Sequence, residues 1–252
     1  MSRLTVTYFS RCLMRNTTFE MLMPDSRQAG KPLRTLFLLH GFSCTAGCFV
    51  PEHLAEQYQF AAVCPNGENS FWLDGLSTGH QFCTLLGEEL PAYLRRTFGI
   101  CNNAADTSIL GMSMGGFGAL HTGLRYPQQF GQIGAMSSAL IVHEVAQMQP
   151  GTGNEVANYD YYRECFGEPS ALLTSDNNPE VLADKLLAAG TALPEMYLCC
   201  GTEDGLLNRS REFHQFLDSR RIPHEYHESP GDHDMRFWGE YTEKIVRWMF
   251  DR

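Results

Sequence analysis

Eight short apolar segments alternate with longer helix-patterned ones, and this alternation constrains the fold more than any other feature of the chain. The strand-like segments are LTVTYFS, TTFEMLM, LRTLFLLH, FAAVCP, TSILGM, QIGAMSSA, MYLCCGT and HEYHES. Several are continuously apolar, the pattern of strands buried on both faces. Between them lie FCTLLGEELPAYLRRTF, GGFGALHTGLRY, PEVLADKLLAAG, LNRSREFHQFLDSR and RFWGEYTEKIVRWMF, with apolar residues at helical spacing. Strand–helix alternation implies βαβ units and a mainly parallel central sheet with helices on both faces. The first two strands follow each other directly, so that edge is expected to be antiparallel. A loop-rich stretch from about Val142 to Asn178 has room for a small excursion over the sheet but not for a domain. The 252 residues therefore read as one domain, 1–252, without a large lid.

Composition narrows the partners. A formal net charge of −10 argues against nucleic acid or an anionic membrane, which need clustered Lys and Arg. The acidity itself fits a soluble, self-repelling surface. The N-terminus lacks the apolar core of a signal peptide, and no run approaches a membrane span of ~20 residues. Nine cysteines without a regular framework are expected to be free thiols in a reducing cytoplasm. Cys44 with Cys48 and Cys199 with Cys200 do not make two close-spaced ligand pairs, so no metal is expected. Self-association is left open.

The chemistry centres on Gly111-Met112-Ser113-Met114-Gly115, a GxSxG string with an apolar strand before it and a helix after it. A glycine turn could serve packing alone. In this context it reads as a nucleophile elbow, a sharp turn that exposes a serine above a sheet. Gly116 and Gly118 then let the following helix approach the sheet. A serine hydroxyl needs a base, and the base needs a carboxylate to orient it. The chain order for this arrangement is serine, acid, histidine. Asp204, just past the apolar strand MYLCCGT, is the candidate acid, with Glu203 its neighbour and competitor. His233, in the Pro-Gly turn of SPGDHDMRFW, is the candidate base, with His227 in reserve. His143, His214 and His224 fall on or beside helices or strand starts and lack a turn around them. The oxyanion hole is expected from two backbone amides, that of Met114 and that of Phe42 in LLHGFSCTAG. His40, just before that loop, reads as a structural hydrogen-bonding residue.

FLLHGFSCTAG, GMSMGGFGAL, CGTED and PGDHDMRFW resemble the esterase D branch of the α/β-hydrolases. Within it the chain is most similar to the tributyrin esterase group of short-chain carboxylesterases, and YFSRCLMRNTTFEMLMP extends the likeness toward the N-terminus. The resemblance implies an α/β-hydrolase fold and a triad of Ser113, Asp204 and His233, with Phe42 and Met114 as oxyanion donors. It implies a serine carboxylesterase for short acyl esters, working through an acyl-enzyme without a cofactor. It also suggests that Trp72 borders the substrate pocket, where plain packing is the other reading. Close variants are a thioesterase like the S-formylglutathione hydrolases, a sugar-ester deacetylase and a feruloyl esterase. PGDHDMRFW departs from the usual histidine segment of the S-formylglutathione hydrolases. A non-catalytic binding module is the alternative from another class, and it would have no need of a strained elbow.

Overall fold

The computed structural model describes residues 1–25, 33–47 and 49–251. Its centre is one eight-stranded sheet in the order β1-β2-β4-β3-β5-β6-β7-β8. The strands are β1 Ser2–Ser10, β2 Arg15–Met23, β3 Arg34–Leu39, β4 Phe60–Pro65, β5 Thr107–Met112, β6 Gln132–Met136, β7 Glu195–Gly201 and β8 Glu225–Ser229. All eight coincide with the apolar segments of the sequence. β1 pairs antiparallel with β2, and β2 with β4, while every other pairing is parallel.

Longer helices connect the strands: α1 Glu52–Tyr58, α2 Leu90–Phe98, α3 Met114–Arg125, α4 Tyr159–Phe166, α5 Pro179–Ala188, α6 Leu207–Ser219 and α7 Met235–Phe250. Alternate strand residues face opposite layers, which is why the central strands are apolar throughout. Leu36 and Leu38 of β3, with Leu110 of β5, join Leu54 of α1 and Ile245 and Val246 of α7. Phe37, Leu39 and Ile109 join Leu94 of α2, Phe117 and Leu120 of α3, Leu182 of α5 and Leu217 of α6 on the other side. Each fully buried Leu or Phe contributes roughly 1.5–3 kcal/mol relative to exposure. The sheet thus belongs to an α/β-hydrolase fold with helices on both faces.

Two departures from the sequence reading have local causes. FCTLLGEELPAYLRRTF is not one regular helix: a short turn at Phe82–Thr84 and a π-helical turn at Leu85–Glu89 precede α2. Pro91 sits at the start of α2 and has no N–H to continue the bonding pattern backwards. The stretch between β6 and α5 holds α4 as well as short turns at Val142–Val145 and Pro169–Leu172. Asn158 starts α4 by accepting the Tyr161 N–H. Among the described residues no helix is long and apolar enough to cross a membrane. Among the described residues seven cysteines are free thiols, but Cys64 is disulfide-bonded, so the expectation of free thiols throughout does not hold. Cys48 lies outside the described residues.

Candidate active site

Ser113 follows β5 directly and stands just before the first residue of α3. Its backbone is at φ 55°, ψ −120°, a conformation that costs an L-residue of order 1–3 kcal/mol. The surroundings hold it there. The Ser113 N–H donates to the Met136 carbonyl at 2.9 Å, while its carbonyl accepts from Phe117 N–H at 3.1 Å and Ala139 N–H at 3.0 Å. The flanking glycines answer a close approach of backbones. A Cβ on Gly111 would lie 2.0 Å from the Gly115 carbonyl oxygen, and one on Gly115 would lie 2.0 Å from that of Leu39. No side chain fits at either position, so the turn stays sharp and the hydroxyl stands clear of the sheet.

The acid and the imidazole arrive from loops at the C-terminal ends of β7 and β8, where ligands meet open α/β sheets. His233 Nε2 lies 2.9 Å from Ser113 Oγ, and His233 Nδ1 lies 2.8 Å from Asp204 Oδ2. Asp204 is 5% exposed, and its Oδ1 accepts the Leu206 N–H at 2.8 Å. Burial pushes its carboxyl up, but the contacts with His233 and the Leu206 N–H outweigh that and leave it below its ordinary value. An ionised carboxylate at Nδ1 requires the proton there, which presents the Nε2 lone pair to the serine hydroxyl. Trp238 stands edge-on to the His233 ring at 4.8 Å.

The competitors lie elsewhere. The Glu203 carboxylate accepts the Gly231 N–H and the Thr202 hydroxyl, so it braces the turn that carries His233 instead of touching the imidazole. The Gly231 N–H is the main reason its carboxyl falls below the ordinary range. His227 pairs with Glu225 at 3.2 Å and stacks on Tyr197. His40 is 3% exposed; it donates from Nδ1 to the Gly41 carbonyl at 2.8 Å and accepts the Gly67 N–H at Nε2, 2.9 Å. Burial lowers its pKa, consistent with a neutral structural imidazole.

Two stretches of backbone adjoin Ser113, the start of α3 and the turn that holds Phe42. Met114 opens α3, where a backbone N–H has no partner within the helix. The Gly41–Cys44 turn, closed by Cys44 N–H to the Gly41 carbonyl at 3.2 Å, packs against the serine: a Cβ on Gly41 would sit 3.4 Å from that of Ser113.

Trp72 is a correction. It is 0% exposed and its indole N–H donates to the His40 carbonyl at 3.2 Å, so it supports the chain entering the Phe42 turn and does not border a pocket.

Two residues absent from the sequence reading do reach the Phe42 turn. Asn69 Oδ1 accepts the Ser43 N–H at 2.8 Å and holds Ser43 at φ 61°. Tyr161 of α4 donates its hydroxyl to the Asn69 carbonyl at 2.5 Å and meets the Phe42 ring edge-on at 5.9 Å. Both also line a cavity of about 310 Å³ with Leu73, His80, Phe82 and Glu164. The sequence signals were slight: an Asn beside the Trp already singled out, and a Tyr in an unassigned loop.

A serine, an imidazole and a buried carboxylate linked in that order above the C-terminal edge of a parallel sheet define a serine hydrolase by class. A model of the Esterase family matches residues 10–249, and the chain belongs to that family. It is 35% identical over 262 residues to the acetyl esterase of Caldicellulosiruptor saccharolyticus, covering 99% of this chain and 98% of that one. Its fold is that of the fluorophosphonate-binding serine hydrolase F of Staphylococcus aureus (TM-score 0.87, 22% identity, 99% and 98% of the two chains). The S-formylglutathione hydrolase of Staphylococcus aureus is similar too (TM-score 0.84, 23% identity, 99% and 98% covered). The protein is a serine carboxylic ester hydrolase.

Proposed function

We propose that the protein, acting as one domain, hydrolyses short-chain acyl esters of small alcohols, with Ser113, His233 and Asp204 as its triad. The observation that carries the assignment is the unbroken pair of contacts from Ser113 Oγ to His233 Nε2 and from His233 Nδ1 to Asp204. In this reading Ser113 Oγ attacks the ester carbonyl carbon while its proton passes to His233 Nε2. Asp204 holds the imidazole in place and stabilises its cationic form. The Phe42 and Met114 amides donate to the developing oxyanion, where each donor is worth on the order of 10²–10³ in turnover. His233 returns the proton to the departing alcohol, leaving Ser113 acylated. Water, activated by the same imidazole, then releases the acid.

An acetyl or similarly small acyl group is supported by the 35% identity to an acetyl esterase and by the likeness of the motifs to tributyrin esterases. A reducing compartment such as the cytoplasm fits the seven free thiols and fits less well the disulfide at Cys64. The test is a panel of acetyl, butyryl and decanoyl p-nitrophenyl esters, sugar acetates, feruloyl esters and S-formylglutathione. The expected order places kcat/KM highest for acetyl to butyryl esters. A maximum at decanoyl, or a thioester preferred over every oxygen ester, would overturn the substrate class. Stoichiometric fluorophosphonate labelling that disappears in Ser113→Ala is expected, and its absence would return the chain to the binding-module reading.

A further inference from the structure

Away from the triad, helix α6 and the start of strand β8 bring two imidazoles and a carboxylate together. His214 and Asp218 lie one turn apart on α6, and His224 sits just before β8. One donor atom from each lies within 4.8 Å of the others. The hydrogen bonds fix where the lone pairs point. His224 Nδ1 is 2.8 Å from the Ile222 carbonyl, so that nitrogen carries the proton and Nε2 carries the lone pair. His214 Nδ1 lies 2.7 Å from His224 Nε2 and must therefore donate to it. His214 Nε2 lies 3.5 Å from Asp218 Oδ2, one turn along the helix.

The rings are already held. His214 stacks on Tyr226 at 4.2 Å and 8°. The Tyr226 hydroxyl donates to Glu228, which is paired with Arg211, so neither of those charges competes for the cluster. His224 is oriented by the Ile222 carbonyl, as metal-ligating histidines commonly are by an acceptor at their second nitrogen.

The geometry points to a binding site for an imidazole-preferring divalent ion, Zn²⁺ above all, between His214 Nδ1 and His224 Nε2, with Asp218 as the supporting carboxylate. The ion replaces the proton shared by the two rings. That proton moves to His214 Nε2, where Asp218 accepts it in an N–H···O⁻ bond, and no charge is lost or gained by the protein. With metal–nitrogen bonds of about 2.0–2.1 Å, tetrahedral ligand atoms lie roughly 3.3 Å apart, so the rings separate by ~0.6 Å and swing until both nitrogens face the ion. Water completes the shell. The site ties α6, which follows the Asp204 loop, to β8, which leads to the His233 loop, and its role is to fasten these two elements.

The experiment is calorimetric titration of the purified full chain with Zn²⁺, paired with thermal melting in its presence and absence. One ion per chain and a raised Tm are expected. His214→Ala and His224→Ala should each abolish the binding, and Asp218→Asn should weaken it on the order of 10- to 100-fold. His227→Ala should bind as the wild type does. Retained p-nitrophenyl acetate hydrolysis shows that each variant is folded. No saturable binding by the wild type would overturn the site. So would binding that persists in both His214→Ala and His224→Ala but is lost in Cys44→Ala, which would place the ion on the exposed thiol.

Discussion

His121 sits two turns beyond Ser113 on α3 and makes the stability of that helix dependent on pH. It is 1% exposed, and both ring nitrogens are engaged in a way that suits only the neutral ring. Nε2 donates to the Asp176 carbonyl at 2.8 Å, while Nδ1 faces the Cys83 thiol at 3.5 Å, a thiol that burial pushes up to about 12 and so keeps protonated. Burial lowers the His121 imidazole from 6.5 to about 4. In the unfolded chain the same ring takes up its proton near 6.5. Between these values the unfolded state binds more protons, so stability is complete above pH 6.5 and falls as the pH is lowered toward 4. A gap of about 2.5 between the two pKa values, at ~1.36 kcal/mol each, is worth about 3 kcal/mol. The comparison is between wild type and His121→Gln in urea unfolding at several pH values from 7.5 to 4, followed by tryptophan fluorescence. His121→Gln should be less stable at pH 7.5, and the difference should shrink by about 3 kcal/mol by pH 4, because every other group titrates alike in both proteins. Parallel stability curves across this range would refute the buried neutral histidine.

Ser113→Ala should lower ester turnover by ~10³-fold or more with the fold intact, measured as kcat on p-nitrophenyl acetate alongside circular dichroism; near-native turnover would exclude Ser113 as the nucleophile. Asp204→Asn should cost on the order of 10⁴ in kcat, as the same change does in serine proteases, and a fully active variant would remove Asp204 from the triad. Asn69→Leu releases the Ser43 N–H and should reduce kcat by roughly 10- to 100-fold with little change in KM, while Asn69→Asp keeps the acceptor and should recover most of the rate; a loss in KM alone would point to substrate contact instead. Cys44 is exposed while the other free cysteines are buried, so N-ethylmaleimide should inactivate the wild type through the Phe42 turn and leave Cys44→Ala largely resistant. Equal inactivation of both proteins would assign Cys44 no part in the site.

What the sequence made legible was what depends on local pattern. Strands buried on both faces announce themselves as runs such as TSILGM and FAAVCP, and the residues just past them fall at one edge of the sheet by topology alone. That is enough to bring Ser113, Asp204 and His233 into the same neighbourhood, with Asp204 favoured over Glu203 by the strand and turn before it. The choice is made by the turn, which spends the Glu203 carboxylate on the Gly231 amide. Contacts between distant segments leave no such trace. Tyr161 reaches Asn69 across 92 positions of chain, and α4, which carries it, is a short helix of aromatic and charged residues signalled chiefly by its Asn158 cap. Trp72 misled for a related reason. An aromatic near a catalytic motif looks the same in sequence whether its ring faces substrate or, as here, the underside of the loop.

The placement of His233 after β8 has a consequence for how the protein comes to be active. The immediate contacts that hold Ser113 in its strained turn come from β3, β5, β6 and the start of α3, all near the centre of the sheet. His233, the proposed base, follows the last strand in the chain, which lies at the far margin of the sheet with a single neighbour to pair with. Below the elbow, Leu36, Leu38, Leu110 and Met136 pack on Ile245 and Val246 of α7, so the last strand and the last helix must both dock before the site is complete. Turnover that appears during refolding is thus expected to report the docking of the C-terminal part of the chain.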